Sequence, residues 1–250
     1  MASEKVLLVT GGSRGIGAAT AKLAAARGWT VAVNYVDAKD RADALVAEIE
    51  TAGGRAAAFK ADIGDPHQIA PLFDAVEQSL GPLTGLVNSA GRVGRSSPLS
   101  DCDPGDVVRT IELNLIGLIL ATREAVRRMA RSRGGAGGAI VNLSSAAATL
   151  GSSGEFVWYA ASKGGVDIFT EGVAREVAAD GIRINAVSPG MIETEIHASA
   201  GDPGRVARIA PMLPMKRAGS PEEVAEAILW LLSDAASYVT GANIRVAGGR

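Results

Sequence analysis

The run Val6 to Thr10, rich in β-branched residues, passes straight into Gly11-Gly12-Ser13-Arg14-Gly15-Ile16-Gly17 and then into an alanine-rich segment of helical period, Ala18 to Arg27. A strand that turns through glycines into a helix cannot return as a hairpin, so its partner strand must be parallel and reached by a right-handed crossover. The unit then repeats along the chain. Thr30 to Tyr35 reads as the next strand and Arg41 to Ala52 as the next helix. Further strands are expected at Ala56 to Ala61, Leu83 to Asn88, Ala139 to Leu143, Ile182 to Val187 and Asn243 to Val246.

The expected fold is therefore α/β: a single Rossmann-type, doubly wound domain over residues 1–250, with a seven-stranded parallel sheet flanked by helices on both faces. No linker divides it. The glycine-rich stretch Gly134 to Gly138 follows an arginine-rich helix end and leads directly into a strand, which suits a helix stop. Ser220-Pro221-Glu222-Glu223 combines an N-cap, an N1 proline and an N3 carboxylate, and opens a late helix running to about Ser233. Only Met191 to Gly219 reads as long and irregular, and a mobile substrate lid is expected there.

Charge and cysteine usage exclude several functions. With 25 basic and 27 acidic residues the net charge is −2, so nucleic-acid or anionic-membrane binding is not expected. Cys102 is the only cysteine and His67 and His197 the only histidines, which rules out an intrachain disulfide and disfavours a metal site; a reducing, cytoplasmic setting follows. Met1 to Lys5 has no basic segment leading into an apolar stretch, so no signal peptide is expected. The apolar run Leu113 to Ala121, interrupted by Asn114, is about half of the ~20 residues needed to span a bilayer and reads as a buried helix.

The placement of the glycine loop between first strand and first helix points to a dinucleotide. Gly11 permits the tight turn, Gly15 and Gly17 permit close approach, and the helix start offers free N–H groups to a pyrophosphate, with Ser13 and Ile16 in the same loop. NAD-binding chains place an acid at the end of the second strand, where Asn34 and Tyr35 stand here; Arg14 can meet a 2′-phosphate instead. NADP(H) is therefore expected over NAD(H), with Asp37 as the one carboxylate near enough to argue otherwise. At the other end of the chemistry, Tyr159 and Lys163 stand four residues apart on an expected helix and so share one face. An ammonium about 4 Å from a phenol at an effective dielectric near 20 is worth about 4 kcal/mol, or roughly three units from a reference near 10, which predicts a tyrosine titrating toward neutrality.

Taken in order, Thr10-Gly-x-x-x-Gly15-x-Gly17, Asn88-Ser89-Ala90-Gly91, Asn114, Ser144-Ser145, Tyr159-x-x-x-Lys163 and Pro189-Gly190 make a pattern that resembles the classical short-chain dehydrogenase/reductase family from about Val6 to Gly249. The resemblance implies Tyr159 as proton donor or acceptor, Lys163 as its electrostatic partner and holder of the nicotinamide ribose, Ser145 as the group that polarises the substrate oxygen, and Asn114 as anchor of a water linking Lys163 to solvent. Ser145 rather than Ser144 matches the family's use of the second serine of such a pair. Tyr159 then lies one residue further on than in the commoner pattern, which implies an insertion within Gly151 to Phe156.

By the same resemblance Asp62 and Ile63 flank the adenine, Asn88, Ala90 and Gly91 clear the backbone beside the cofactor, and Pro189, Gly190, Ile192 and Thr194 border the nicotinamide. The implied activity is interconversion of a secondary alcohol and a ketone, including sugar or polyol substrates. A 3-oxoacyl-[acyl-carrier-protein] reductase and a non-catalytic NADP(H)-binding regulator are the alternatives. The intact Asn114, Ser145, Tyr159 and Lys163 set disfavours the regulator. Asp180, where carrier-protein enzymes look to have a base, disfavours the reductase, although Arg123, Arg127, Arg128, Arg131 and Arg133 form a basic cluster. The family forms homotetramers through the Leu113 helix and the helix of Tyr159, and the same is expected here.

Overall fold

The computed structural model describes residues 5–250; Met1 to Glu4, part of the segment on which the absence of a leader was argued, lie outside the described residues. In chain order the elements are β1 (Lys5–Thr10), α1 (Gly15–Ala26), β2 (Trp29–Tyr35), α2 (Lys39–Thr51), β3 (Arg55–Lys60), α3 (Pro66–Leu80), β4 (Leu83–Asn88), α4 (Pro104–Ile111), a π-helical turn (Glu112–Gly117), α5 (Leu118–Met129), β5 (Gly138–Leu143), α6 (Ala147–Leu150), α7 (Val157–Val177), β6 (Ile182–Pro189), α8 (Ile196–Ser199), α9 (Arg205–Ile209), α10 (Pro221–Leu232) and β7 (Asn243–Val246). The seven strands form one sheet in the order β3-β2-β1-β4-β5-β6-β7, every neighbour parallel.

Period-two alternation sends Leu7 and Val9 to one face and Val6 and Leu8 to the other, and both faces are covered. On the first face α1, α2 and α10 bury Ala21, Ala24, Leu45, Ile49, Ile228 and Leu231; on the second, α3, α5 and α7 bury Phe73, Val76, Ala121, Ala125, Met129 and Ala174. Helix starts follow side-chain chemistry. Asp65 accepts from His67 N before α3, Asp103 from Gly105 N before α4, and Ser220 closes a full capping box with Glu223 before α10. Gly134, left-handed at φ 89°, ends the turn after α5 as expected of a helix stop.

Two local expectations need correcting. The Leu113 segment is not a regular helix: it widens into the π-turn between α4 and α5, and Gly117 is there because a Cβ would sit 2.2 Å from the Ile63 carbonyl oxygen. The Met191 to Gly219 segment is not uniformly irregular. It carries α8 and α9, buries Met191, Leu213 and Ala218 in a small core of its own, and is closed at its base by Glu193 N donating to Gly219 O and Gly219 N donating to Met191 O, both at 2.9 Å. Helices of four and five residues are too short for periodicity to reveal.

Candidate active site

Thr10, Asn88 and Asn142 stand side by side at the carboxyl ends of β1, β4 and β5, the point where the chain switches from one half of the sheet to the other. Open α/β sheets bind ligands just outside this switch. Here a cleft of two joined lobes lies over it, about 570 Å³ on the side of the glycine loop and about 400 Å³ on the side of Tyr159, with Ile16, Gly91 and Thr194 walling both.

The first lobe fits a dinucleotide. α1, unlike α3, α4 and α10, has no side chain capping its N-terminus, so its first N–H groups remain available. Gly11, at φ +61°, passes so close to the loop after β4 that a Cβ would come within 2.8 Å of Ala90 Cα. Thr10 Oγ1 fastens that loop by accepting from Ser89 N and Ala90 N, each at 3.1 Å. Gly11, Ser13, Arg14, Gly15, Ile16, Asn34, Tyr35, Ile63, Ala90, Gly91 and Thr194 line the lobe.

Other expected contacts are placed differently. Gly17 lies behind the loop, where a Cβ would strike Gly11 O at 2.4 Å, and Asp62 turns its Oδ1 to Gly64 N at 2.8 Å. Asn88 lies beneath the floor, donating to Asn142 Oδ1 at 2.9 Å and Thr122 Oγ1 at 3.0 Å. None of these three lines the cleft. Asn34 borders it, but its amide is spent internally: Oδ1 accepts from Gly11 N at 3.2 Å, and Nδ2 donates to Ala61 O at 2.9 Å and Phe59 O at 3.3 Å. Its structural work is to fix the glycine loop against β3.

Ser145, Tyr159 and Lys163 meet in the second lobe beside Pro189, Gly190 and Ile192. Ser145 and Tyr159 line the same wall of this lobe, and Ser145 Oγ accepts from Ala147 N at 3.1 Å. Ser144 instead points away, donating to Lys163 O at 3.2 Å. The segment in which an insertion is expected turns through Gly151, Ser152 and Gly154, all at positive φ.

Lys163, one helical turn from Tyr159, is buried with Nζ 5.9 Å from the tyrosine ring centre and donating to Leu143 O at 2.6 Å. Burial pushes its pKa down to about 8, against the opposing pull of Asp167. Tyr159 does not follow the simple Coulomb expectation: burial pushes the phenol up from its usual range, and only the neighbouring Ser145 hydroxyl works the other way. The ammonium spends itself on a carbonyl, and the loss of hydration dominates.

Asn114 is buried in the π-turn. Its Oδ1 accepts from Arg92 N at 2.9 Å, and its Nδ2 donates to Arg92 O at 2.8 Å and Ser162 Oγ at 3.1 Å. A Cβ placed on Gly91 would meet Asn114 Oδ1 at 3.3 Å and Lys163 Nζ at 3.7 Å, so both side chains crowd one glycine.

Several contributors escaped sequence reasoning. Asp106, held below the usual carboxylate range chiefly by the Arg95 backbone N–H, with Arg109 and Arg92 adding to it, ties down the loop from Gly91 to Arg95. Arg205, 6% exposed, clamps Glu155 through both guanidinium nitrogens at 2.5 and 2.6 Å and stacks 5.1 Å over Phe156, whose ring meets that of Tyr159 edge-on at 5.8 Å. The spacing between Ser145 and Tyr159 was the only signal for Glu155; nothing local marked Asp106 or Arg205.

The model of the family described as enoyl-(acyl carrier protein) reductase matches residues 11–250. The uncharacterized oxidoreductase YgfF of Escherichia coli K12 is 52% identical over 245 residues, 98% of this chain and 99% of that one. The chain belongs to the short-chain dehydrogenase/reductase family. It is an oxidoreductase of that kind, on the same seven-stranded fold. The cis-4-hydroxycyclohexanecarboxylate dehydrogenase of Sinomonas cyclohexanicum is 41% identical, across 99% of this chain and 96% of its own. A short-chain dehydrogenase from Burkholderia cenocepacia J2315, solved in complex with NADP, superposes with a TM-score of 0.90 at 34% identity, covering 98% of this chain and 97% of that one.

Proposed function

We propose that this oxidoreductase interconverts a secondary alcohol and a ketone with NADP(H), using Tyr159 as general acid and base. The convergence of Ser145, Tyr159 and Lys163 on a lobe that opens directly into the glycine-loop lobe carries the proposal. When bound, the nicotinamide supplies or accepts the hydride. The protein does the rest: Ser145, free to donate because its Oγ already accepts from Ala147 N, holds the substrate oxygen, and the Tyr159 phenol gives that oxygen its proton or takes it back. Lys163, one turn along the helix, is placed to hold the ribose, and Asn114 keeps the Arg92 backbone in place above it.

NADP(H) is favoured because no acid ends β2, because Arg14 lines the cofactor lobe, and because an NADP-bound relative shares the fold. The walls of the second lobe, Val93, Leu150, Phe156, Met191, Ile192 and Ile196, suit a small apolar or alicyclic ketone. The enzyme is assigned to the cytoplasm, in keeping with its single, unpaired cysteine; among the described residues no helix is long and apolar enough to cross a membrane. A homotetramer is proposed because Val108, Ile116 and Ile168 leave apolar side chains at the surface of α4, the π-turn and α7; sedimentation velocity should find tetramers, and monomers alone would refute it.

The decisive test of the chemistry is Tyr159→Phe assayed against a panel of cyclic and acyclic ketones with NADPH. We expect unchanged NADPH binding and a loss of at least about a hundredfold in kcat. Activity retained in the variant would refute the assignment.

A further inference from the structure

At the lip of the cofactor lobe, beside Tyr35 to Ala38, two arginines close on one carboxylate. Arg41, in the first turn of α2, donates through Nη1 to both Glu195 oxygens at 2.7 Å, and Arg14 Nη1 lies 3.8 Å from Glu195 Oε2. The glycine loop, α2 and the segment after β6 are thereby joined across the mouth of the cleft. Two positive charges here face one negative charge, and all three side chains are just over half exposed, so water and salt screen the bridge and leave it exchangeable for a better anion. A phosphate monoester is such an anion, with close to two negative charges and three acceptor oxygens suited to guanidinium forks.

We propose that Arg14 and Arg41 together seat the 2′-phosphate of NADP(H), and that Glu195 is the internal anion displaced from that seat. Arg41 and Glu195 then determine cofactor choice with opposite signs, a deepening that rests on the NADP(H) reading above. The exposed Asp37 lines the same end of the lobe and acts in the same direction as Glu195.

The test is calorimetric titration of NADPH and NADH into the wild-type protein, Arg41→Gln and Glu195→Gln. Arg41→Gln should weaken NADPH about fivefold and Glu195→Gln should tighten it about fivefold, with NADH unchanged in both. An NADPH-to-NADH ratio within about twofold of wild type in both variants would overturn the proposal, as would equal changes for the two cofactors, which would make the bridge a fastening of the lip alone. Wild-type preference for NADH, with the variant ratios still moving as stated, would overturn the NADP(H) preference and support the competition.

Discussion

Lys163 should make the folded protein weaker near neutral pH, and removing it should show by how much. Its pKa falls from 10.5 to about 8 on folding because the ammonium is buried. Each unit is worth about 1.36 kcal/mol, so charging this lysine in the folded state costs about 3 kcal/mol of stability. The penalty is complete below the folded value, where both states are protonated. It fades as pH rises toward the unfolded value, because the unfolded chain then binds more protons than the folded one. Lys163→Met removes the charge and keeps a flexible chain of similar length, but leaves the Leu143 carbonyl without its 2.6 Å donor, a loss of about 1 kcal/mol. The variant should therefore be about 2 kcal/mol more stable than wild type at pH 7 by urea denaturation without cofactor, while losing turnover. That advantage should shrink by about 2 kcal/mol at pH 9.5. A variant no more stable at pH 7, or a difference that does not change with pH, would refute the claim that Lys163 is held as a destabilised buried charge.

Other substitutions probe the frame around the site. Arg205→Ala should leave Glu155 without its partner and lower stability by about 2 kcal/mol, less than for a fully buried pair because Glu155 is 36% exposed. The same variant should raise KM for the ketone severalfold while calorimetric NADPH binding stays unchanged, because the clamp joins α9 to the wall of the second lobe. Gly117→Ala should cost about 3 kcal/mol in urea denaturation, since the new Cβ meets the Ile63 carbonyl oxygen at 2.2 Å and backbone must move on both sides.

The fold was legible because its signals are local and repeated. Alternating β-branched and alanine-rich segments gave all seven strands to within a residue or two, and the Ser220 to Glu223 capping box was found as read. The π-turn was not legible, because Glu112 to Gly117 has the composition of an ordinary helix, and the Ile63 carbonyl that leaves no room for a side chain at Gly117 comes from a segment distant in sequence. Asn34 shows the same limit. Its place at the end of β2 puts it beside the expected cofactor, yet burial obliges its amide to satisfy three backbone groups first.

The Tyr159 to Lys163 spacing exposes a deeper limit. Four residues on a helix do bring the phenol and ammonium to one face, so the pair itself follows from periodicity. The direction of a pKa shift does not, because it is a difference between Coulomb attraction and lost hydration, and only the attraction can be read from spacing. The surrounding fold decides the balance: the Leu143 carbonyl draws off the ammonium, burial raises Tyr159, and the same burial lowers Lys163. Both groups are thus pushed toward their neutral forms, a phenol that keeps its proton and an amine that readily gives one up. In the proposed reaction, a site in this condition is arranged to donate a proton to a carbonyl oxygen. To run in the alcohol-oxidising direction it needs a further positive charge or a higher pH, so the rate of oxidation should rise with pH more steeply than that of reduction.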